Sequence, residues 1–330
     1  MKDFWKKQTQ NWPLAFLAPM DWYTDSAYRQ VVKKVNPNII CVTEFYSADW
    51  LVHSKFLANN VLPHKNEENP LIVQIFWKDP EMFAKARQII ERYDVAWIDV
   101  NMWCPAKKVV KSWHWSCLII NRDTAFKIVE TLNKATKLPI SVKTRLWWNW
   151  SETLIDFVKW LESAWASLVT VHWRTTAQAY TWNADFTQIY ELKKNVWIPI
   201  ICNWDIKDYD DWMKKLKSNP NLSINTNGEG LNLDWFMIWR WSFWNPWCFI
   251  PWGYNPSLLE ILEMMSFHAK TLVECSWEKK ATLDIRKHLV QYLKWFPWVS
   301  NYRKRLVTID NIETLNNILN DIKNNINLFI

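Results

Sequence analysis

A chain of 330 residues with only three glycines has few residues that readily take the positive φ of tight turns and helix ends. Average usage would give about 23 glycines at this length. The chain has 28 tryptophans instead. Several stand where turn chemistry normally places glycine, in Asp21-Trp22, Asp49-Trp50, Asn203-Trp204-Asp205, Trp77-Lys78-Asp79-Pro80 and Ser276-Trp277-Glu278, and at the predicted helix end Ala164-Trp165-Ala166.

These positions predict that most of the tryptophans are glycine in the living protein. The codon UGA is read as glycine in some genetic codes and as tryptophan in others, so translation with the wrong code would produce this pattern. The alternative is a protein that is truly rich in tryptophan and uses the indoles as core or stacking groups. The codon at each tryptophan position separates the two hypotheses.

Short, β-branched apolar runs alternate with amphipathic segments along the first two thirds of the chain. The predicted strands are Leu14–Ala18, Ile39–Thr43, Leu71–Phe76, Ile98–Asn101, Ile140–Thr144, Leu168–His172, Ile198–Cys202 and Phe236–Ile238. The predicted helices between them include Asp25–Val35, Pro80–Tyr93, Asp123–Thr136, Glu152–Ser163 and Asp208–Lys217. Eight such units over about 250 residues predict an α/β protein with a (β/α)8 TIM barrel. A doubly wound sheet is the competing fold.

The pattern changes after Pro251. Residues 252–258 have the composition of a linker, and the segments after it are helical: Leu258–Cys275, Thr282–Lys294 and Ile312–Ile326. We therefore predict a barrel domain over residues 1–251 and an all-helical domain over residues 256–330.

Composition excludes several protein classes. Hydrophobic residues make up 49% of the chain and charged residues 22%, which is an ordinary globular mixture. No apolar run approaches the roughly 18 residues of a membrane span. The six cysteines form no CxxC pair, which argues against a disulfide scaffold, a zinc ribbon or an iron–sulfur cluster. We expect a cytoplasmic protein, without a metal and monomeric.

Most of the net charge of +7 is concentrated in one segment. Residues 278–305 contain eight lysines and arginines against two acidic residues, interleaved with His288, Tyr292, Phe296 and Tyr302. Cations mixed with flat side chains suit a nucleic-acid backbone, so the segment predicts RNA contact. The alternative is an ordinary solvated helix face.

Barrel enzymes place their functional groups at the carboxyl ends of the strands. The residues found there are Pro19, Met20, Asp21, Gln74, Asn101, Cys104, Lys143, Arg145, His172, Arg174, Asn203, Trp204, Asp205, Trp239 and Arg240. With glycine at 204, 239 and 241, the ends of strands 7 and 8 would form a backbone cradle for a phosphate. A phosphorylated flat cofactor fits this set, and FMN fits best.

Other roles for these residues remain open. Lys143 could belong to a buried ion pair, His172 could be a core histidine, and Gln74 could cap a strand end. Cys104 could be an inert buried thiol, although its polar loop before a proline suits a reactive position better. Zinc binding by Cys104, His114 and Cys117 would lack a fourth ligand.

Seven ordered motifs run over about 290 residues of the chain: Ala18-Pro19-Met20-Asp21, Asn101-Met102-Trp103-Cys104-Pro105, Lys111-Ser112-Trp113-His114-Trp115-Ser116, Val171-His172-Trp173-Arg174, Asn203-Trp204-Asp205, Ile238-Trp239-Arg240-Trp241 and Arg286-Lys287-His288. Through these motifs the chain resembles the tRNA-dihydrouridine synthases, in particular the B-type bacterial branch. Nearly every departure from the family is tryptophan in place of glycine. Trp148 and Trp247 are exceptions, since the family tends to have tryptophan there.

The resemblance implies an FMN barrel whose carboxyl domain grips tRNA. It implies that NADPH reduces the flavin, that hydride passes to C6 of a uridine, and that Cys104 protonates C5. The implied flavin-binding residues are Pro19, Met20, Asp21, Gln74, Lys143, His172, Asn203, Trp204, Asp205, Trp239 and Arg240. Asn101 and Arg174 are implied uracil contacts.

Two other functions fit the same sequence features. One is a flavin barrel that reduces a free pyrimidine, as in dihydroorotate dehydrogenase-like enzymes, which would survive deletion of residues 256–330. The other is a non-catalytic RNA-binding protein in which real indoles block the flavin site.

Overall fold

The computed structural model of the chain describes residues 14–56, 62, 66–102, 118, 121–145, 152–172, 187–203, 205–217, 235–243, 245–294, 296 and 299–325. Eight strands form one closed parallel barrel, because each pairs with the next and β1 pairs with β8. The strands are β1 (Ala15–Leu17), β2 (Ile40–Ser47), β3 (Leu71–Phe76), β4 (Trp97–Asn101), β5 (Ile140–Arg145), β6 (Leu168–His172), β7 (Ile200–Asn203) and β8 (Trp235–Ile238). The predicted TIM barrel is confirmed.

Helices surround the barrel and continue beyond it. They are α1 (Ser26–Val35), α2 (Ala48–His53), α3 (Pro80–Ile90), α4 (Arg122–Ala135), α5 (Glu152–Ser163), α6 (Thr187–Asn195), α7 (Tyr209–Lys217), α8 (Leu258–Cys275), α9 (Glu278–Tyr292), α10 (Ser300–Leu306) and α11 (Ile312–Asn324). The sequence pattern missed α2, α6 and α10. The predicted turn at Asp49-Trp50 is wrong, because both residues lie in α2, whose N-cap Ser47 accepts a hydrogen bond from the Trp50 amide.

The core lies inside the barrel and between the barrel and its helices. β3 and β4 are buried along their whole length, as expected for strands covered on both faces. β2 runs to Ser47, past its predicted end at Thr43, because a register shift between Val42 and Phe45 lets the strand continue through polar residues. Each fully buried aliphatic or aromatic side chain contributes roughly 1.5–3 kcal/mol to folding.

The carboxyl helices are attached to the barrel by a buried aromatic seam of Tyr28, His268, His288 and Tyr292. Tyr28 of α1 stacks on His288 of α9 with ring centroids 5.3 Å apart, and His268 Nδ1 lies 3.2 Å from the Tyr292 hydroxyl. Burial lowers the pKa of His268 to about 3 and that of His288 well below its ordinary value. Both histidines are therefore neutral and pack as flat side chains.

Among the described residues, three tryptophans have the backbone conformation that favours glycine. Trp22, Trp165 and Trp252 have φ of 69°, 71° and 65°. Trp165 ends α5 in a Schellman motif, since its amide donates to the Glu162 carbonyl and the Ala166 amide donates to the Leu161 carbonyl. Trp277 differs, because it is the N-cap of α9 with an ordinary φ of −71°.

Candidate active site

The strand register brings the predicted site residues together at one end of the barrel. Asn101 of β4 pairs with Lys143 of β5, and His172 of β6 pairs with both Arg145 of β5 and Asn203 of β7. Consecutive strand ends therefore carry an amide, an ammonium, a guanidinium and an imidazole. Cys104, Arg174 and Trp204 lie outside the described residues, as do His114 and Cys117 of the zinc alternative.

A buried polar network occupies the barrel interior below these ends. The Gln74 amide donates through Nε2 to Asp99 Oδ2 at 2.7 Å and accepts at Oε1 from Asn101 Nδ2 at 2.9 Å. Asp99 Oδ1 accepts from the Ser141 hydroxyl at 2.5 Å. Gln74 is fully buried in mid-strand, so the alternative that it caps a strand end is wrong.

The loop after β1 is held from two sides through the backbone of one residue. The Trp22 amide donates to Glu44 Oε1 at 2.5 Å, and the Trp22 carbonyl accepts from the ammonium of Lys287 on α9. Burial raises the pKa of Glu44 to about 7, with a further contribution from the nearby charge of Asp25. Burial also raises the pKa of Asp21, which the charge of Lys287 partly offsets.

The rest of this loop is compact. Pro19 and Met20 are buried, and the Met20 amide donates to the Thr24 hydroxyl at 2.9 Å. Tyr23 stacks on Phe243 with ring centroids 3.9 Å apart, which joins the loop to the segment after β8.

The ends of β7 and β8 carry the predicted phosphate site. Asn203 Nδ2 donates to the Met237 carbonyl at 3.1 Å, and Asp205 has a positive φ of 52°. The Arg240 guanidinium lies 4.6 Å from the centroid of the Trp239 indole, whose ring centroid is 6.1 Å from that of His172. The Trp239 side chain thus takes up space beside both His172 and Arg240.

Two site residues were missed by the sequence reasoning. Asp99 lies two residues before Asn101 on the same strand, so period-2 alternation places both on the barrel's inner face and could have identified it. Glu44 was missed because the predicted strand ended at Thr43.

The structure corrects the prediction for the basic segment in part. His288 and Tyr292 are buried in the aromatic seam, and Phe296 and Tyr302 pack against the core, so these rings do not form an RNA-stacking surface. The Arg286 guanidinium donates to the Ile309 carbonyl and Lys287 reaches Trp22. The exposed cations of the segment are Lys279, Lys280, Lys294, Lys304 and Arg305.

Within the described residues, no group of three or more histidines, cysteines and carboxylates is placed to hold a metal ion. No helix among them is long and apolar enough to span a membrane.

The chain matches one protein-family model and is similar in sequence to bacterial proteins. The family model described as "Dihydrouridine synthase" matches residues 16–327. The chain is 29% identical over 303 residues to "Probable tRNA-dihydrouridine synthase 1" of Synechocystis, covering 90% of this chain and 82% of the relative. It is 28% identical over 297 residues to "Probable tRNA-dihydrouridine synthase" of Rickettsia conorii, covering 87% and 86%.

Among solved structures, a 2-naphthoyl-CoA reductase complex superimposes with a TM-score of 0.51 at 14% identity. The match covers 71% of this chain and 49% of that one. At this identity the likeness supports the barrel fold alone.

Proposed function

The chain belongs to the dihydrouridine synthase family, and we propose that it is a tRNA-dihydrouridine synthase that uses FMN and NADPH to reduce the C5–C6 bond of uridines in tRNA. The observation that carries this proposal is the extent of the family match, which runs through the barrel and the carboxyl helices to residue 327. An enzyme of free pyrimidines has no need of the helical part.

The family implies a flavin, and the donor set fits one. An amide from β3, an ammonium from β5 and an imidazole from β6 suit the polar edge of a flat ring, and Arg240 suits a phosphate. The Trp239 indole is the misfit, because it takes up space beside both His172 and Arg240. A glycine at 239 leaves that space open, so FMN fits the chain in its predicted glycine form.

We assign Gln74, Lys143 and His172 to the ring of FMN, and Asn203, residue 204, Asp205, residue 239 and Arg240 to its phosphate side. Pro19, Met20 and Asp21 form the adjoining wall. When bound, FMN would supply the hydride-transfer chemistry that links NADPH to C6 of the uracil.

The protein supplies the proton that completes the reduction. In this proposal the Cys104 thiol donates its proton to C5 as hydride reaches C6, so the C5–C6 double bond becomes a single bond and the thiolate is reprotonated by water. A thiol of ordinary pKa is protonated at neutral pH and can serve as this acid. Asn101 and Arg174 hold the uracil, which must leave the tRNA stack to reach the site.

The carboxyl helices provide the RNA-facing surface in this proposal, through the exposed cations on α9, α10 and their connection. We keep the division into a barrel domain at 1–251 and a helical domain at 256–330. Deleting residues 256–330 is a poor test of this division, because it would expose Tyr28 and remove three members of the aromatic seam.

The Cys104→Ala variant tests the proposed reaction. NADPH should reduce its flavin at the parent rate, whereas reoxidation by unmodified tRNA should slow by about 10²-fold or more, the usual size of a general-acid effect. Stopped-flow absorbance of the flavin measures both steps. Cys275→Ala, which removes an exposed thiol on α8, is the matched control.

Equal reoxidation rates in Cys104→Ala and the parent would show that another group donates the proton. Reoxidation by a free pyrimidine such as orotate but not by tRNA would overturn the proposed substrate.

A further inference from the structure

We infer that Asp99 is a positioning residue that sets the orientation of the Gln74 and Asn101 amides, and with it the hydrogen-bonding groups that these amides turn toward the flavin and the uracil. The inference rests on the proposed function, which places Gln74 at the flavin and Asn101 at the uracil. It adds a residue that neither motif nor composition had singled out.

The geometry consists of a relay of side chains through the barrel interior. Asp99 pairs in register with Gln74 of β3 on one side and Ser141 of β5 on the other, so all three side chains lie on the same face of the sheet. Its two carboxylate oxygens accept one hydrogen bond from each neighbour, at 2.7 Å and 2.5 Å. Ser141 Oγ in turn accepts from the Trp97 indole at 3.1 Å.

The direction of each hydrogen bond follows from the carboxylate. An ionised carboxylate only accepts, so the Gln74 atom beside Asp99 must be the amide nitrogen. The Gln74 oxygen then faces Asn101, and the Asn101 atom that meets it at 2.9 Å must be its amide nitrogen. One acceptor-only group thereby fixes two amides that could otherwise be turned over.

Because the relay is buried, the preference for this orientation of the two amides is large in free energy. Gln74, Ser141 and Asp99 are each less than 5% exposed, and a buried polar group left unpaired costs about 1–3 kcal/mol. Turning the Gln74 amide over would set two oxygens against each other at Asp99 and two nitrogens at Asn101. Burial raises the pKa of Asp99, while the two donors and the charge of Lys143 favour its ionised form.

The orientation matters because a flavin edge and a uracil edge each alternate donors and acceptors. An amide turned over presents an acceptor where the ring needs a donor, and the mismatch leaves both groups unsatisfied in a dry site. Asp99 thus acts on cofactor and substrate through Gln74 and Asn101, without touching either.

The test uses full-length protein with glycine at 204, 239 and 241 and compares three variants. Asp99→Asn removes the acceptor-only group. The double variant Asp99→Asn with Gln74→Glu exchanges amide and carboxylate, so the charge and the number of hydrogen bonds in the relay are kept, but position 74 turns a carboxylate toward the ring. Thr144→Val is the control, since the Thr144 hydroxyl is buried and has no hydrogen-bond partner within the described part of the chain.

The readouts are the thermal midpoint of unfolding without flavin, the dissociation constant for FMN from quenching of flavin fluorescence, and the midpoint potential of bound FMN. We expect Asp99→Asn to weaken FMN binding about tenfold or more and to shift the potential. We expect the exchange variant to recover parent stability but not the FMN affinity or the potential. Thr144→Val should match the parent in FMN affinity and potential.

Parent-like FMN affinity and potential in the exchange variant would show that the relay serves folding alone and would overturn the inference. The same holds for parent-like values in Asp99→Asn. If Asp99→Asn does not fold, the exchange variant is compared with Gln74→Glu alone, and equal FMN affinity and potential in the two would overturn the inference. Parent protein that takes up no FMN would overturn the proposed function and this inference together.

Discussion

The tryptophans of the surface turns and those of the interior are the same residue in opposite environments. Trp22, Trp165 and Trp252 have positive φ, and each exposes more than two thirds of its surface. Trp97, Trp212, Trp235 and Trp247 are buried, and none has a positive φ. A bulky residue with positive φ is a genuine outlier, whereas a buried indole is ordinary.

This contrast supports the glycine hypothesis at the turns and gives an independent reason for it. In the sequence, the neighbouring residues mark these positions as turns, and in the structure the backbone angles favour glycine at the same positions. The buried tryptophans differ among themselves in the hydrogen bonding of the indole nitrogen. The Trp97 indole donates to Ser141, but the Trp212 indole nitrogen is buried without a hydrogen-bond partner among the described residues.

The tryptophans at the strand ends form a third group, and replacing them by glycine gives the largest predicted effect. Trp239 and Trp241 are half-buried beside the predicted phosphate site, where they pack against the edge of the core. Protein with glycine at 204, 239 and 241 should purify yellow with FMN, while protein with tryptophan there should be colourless. The ratio of flavin absorbance to protein absorbance measures whether flavin is bound.

Glycine at 165 and 252, with the strand-end tryptophans retained, is the matched control and should bring no flavin. Colourless protein in the strand-end variant, even after FMN is added, would overturn the cofactor assignment.

Trp247 tests the interior side of the comparison. It is 6% exposed, packs edge-on against Tyr292 of the aromatic seam, and is one of the two positions where we expect tryptophan in the living protein. Trp247→Ala should lower the free energy of unfolding by about 3–5 kcal/mol, the usual cost of truncating a buried tryptophan. Urea titration followed by circular dichroism measures it, and a loss below about 1 kcal/mol would contradict a core role.

The barrel was predictable from sequence because parallel strands buried on both faces leave uninterrupted apolar runs. β3 and β6 have the predicted bounds for this reason. α2 was missed because Trp50 was taken for a turn residue, and the extension of β2 was missed because a register shift carries the strand through polar residues.

The strand ends that carry the site were predictable for the same topological reason. Their hydrogen-bond partners were not, because partners such as Asp99 and Glu44 depend on which side chains face each other across the sheet. The aromatic seam shows the limit most clearly. His288 and Tyr292 were predicted to face RNA because they lie among lysines and arginines, yet both are buried: His288 stacks on Tyr28, and Tyr292 packs edge-on against His268.

Glu44 allows a test at the turn after β1, because its carboxylate accepts a hydrogen bond from the amide of the positive-φ residue Trp22. Burial raises its pKa from 4.5 to about 7, so the folded state holds the proton more tightly than the unfolded state. The contribution of Glu44 to the free energy of unfolding is therefore complete below about pH 4.5 and is lost as the pH rises to about 7. The total loss is about 3 kcal/mol.

Glu44→Gln should therefore flatten the fall in the free energy of unfolding between pH 4.5 and pH 7. Urea titrations at several pH values measure the slope. Glu67→Gln, at an exposed glutamate, is the control and should keep the parent slope. An unchanged slope in Glu44→Gln would show that other groups set the pH dependence.

The smallest predicted change in the free energy of unfolding is that of replacing Trp165 by glycine. Trp165 is the C′ residue of the Schellman motif that ends α5, with a φ of 71° and an indole that is 71% exposed. A left-handed conformation costs a residue with a Cβ about 1–2 kcal/mol, and glycine avoids this cost at a smaller entropic loss. Trp165→Gly should therefore raise the free energy of unfolding by about 1 kcal/mol.

Trp160→Gly is the matched control in the last turn of the same helix, where Trp160 is partly exposed and has no positive φ. Glycine inside a helix costs about 1 kcal/mol, so this variant should be destabilised. Opposite signs at two tryptophans five residues apart would mean that backbone conformation, and not loss of an indole, decides the outcome. Destabilisation of both would contradict a glycine at 165, and a UGG codon at 165 would contradict it independently.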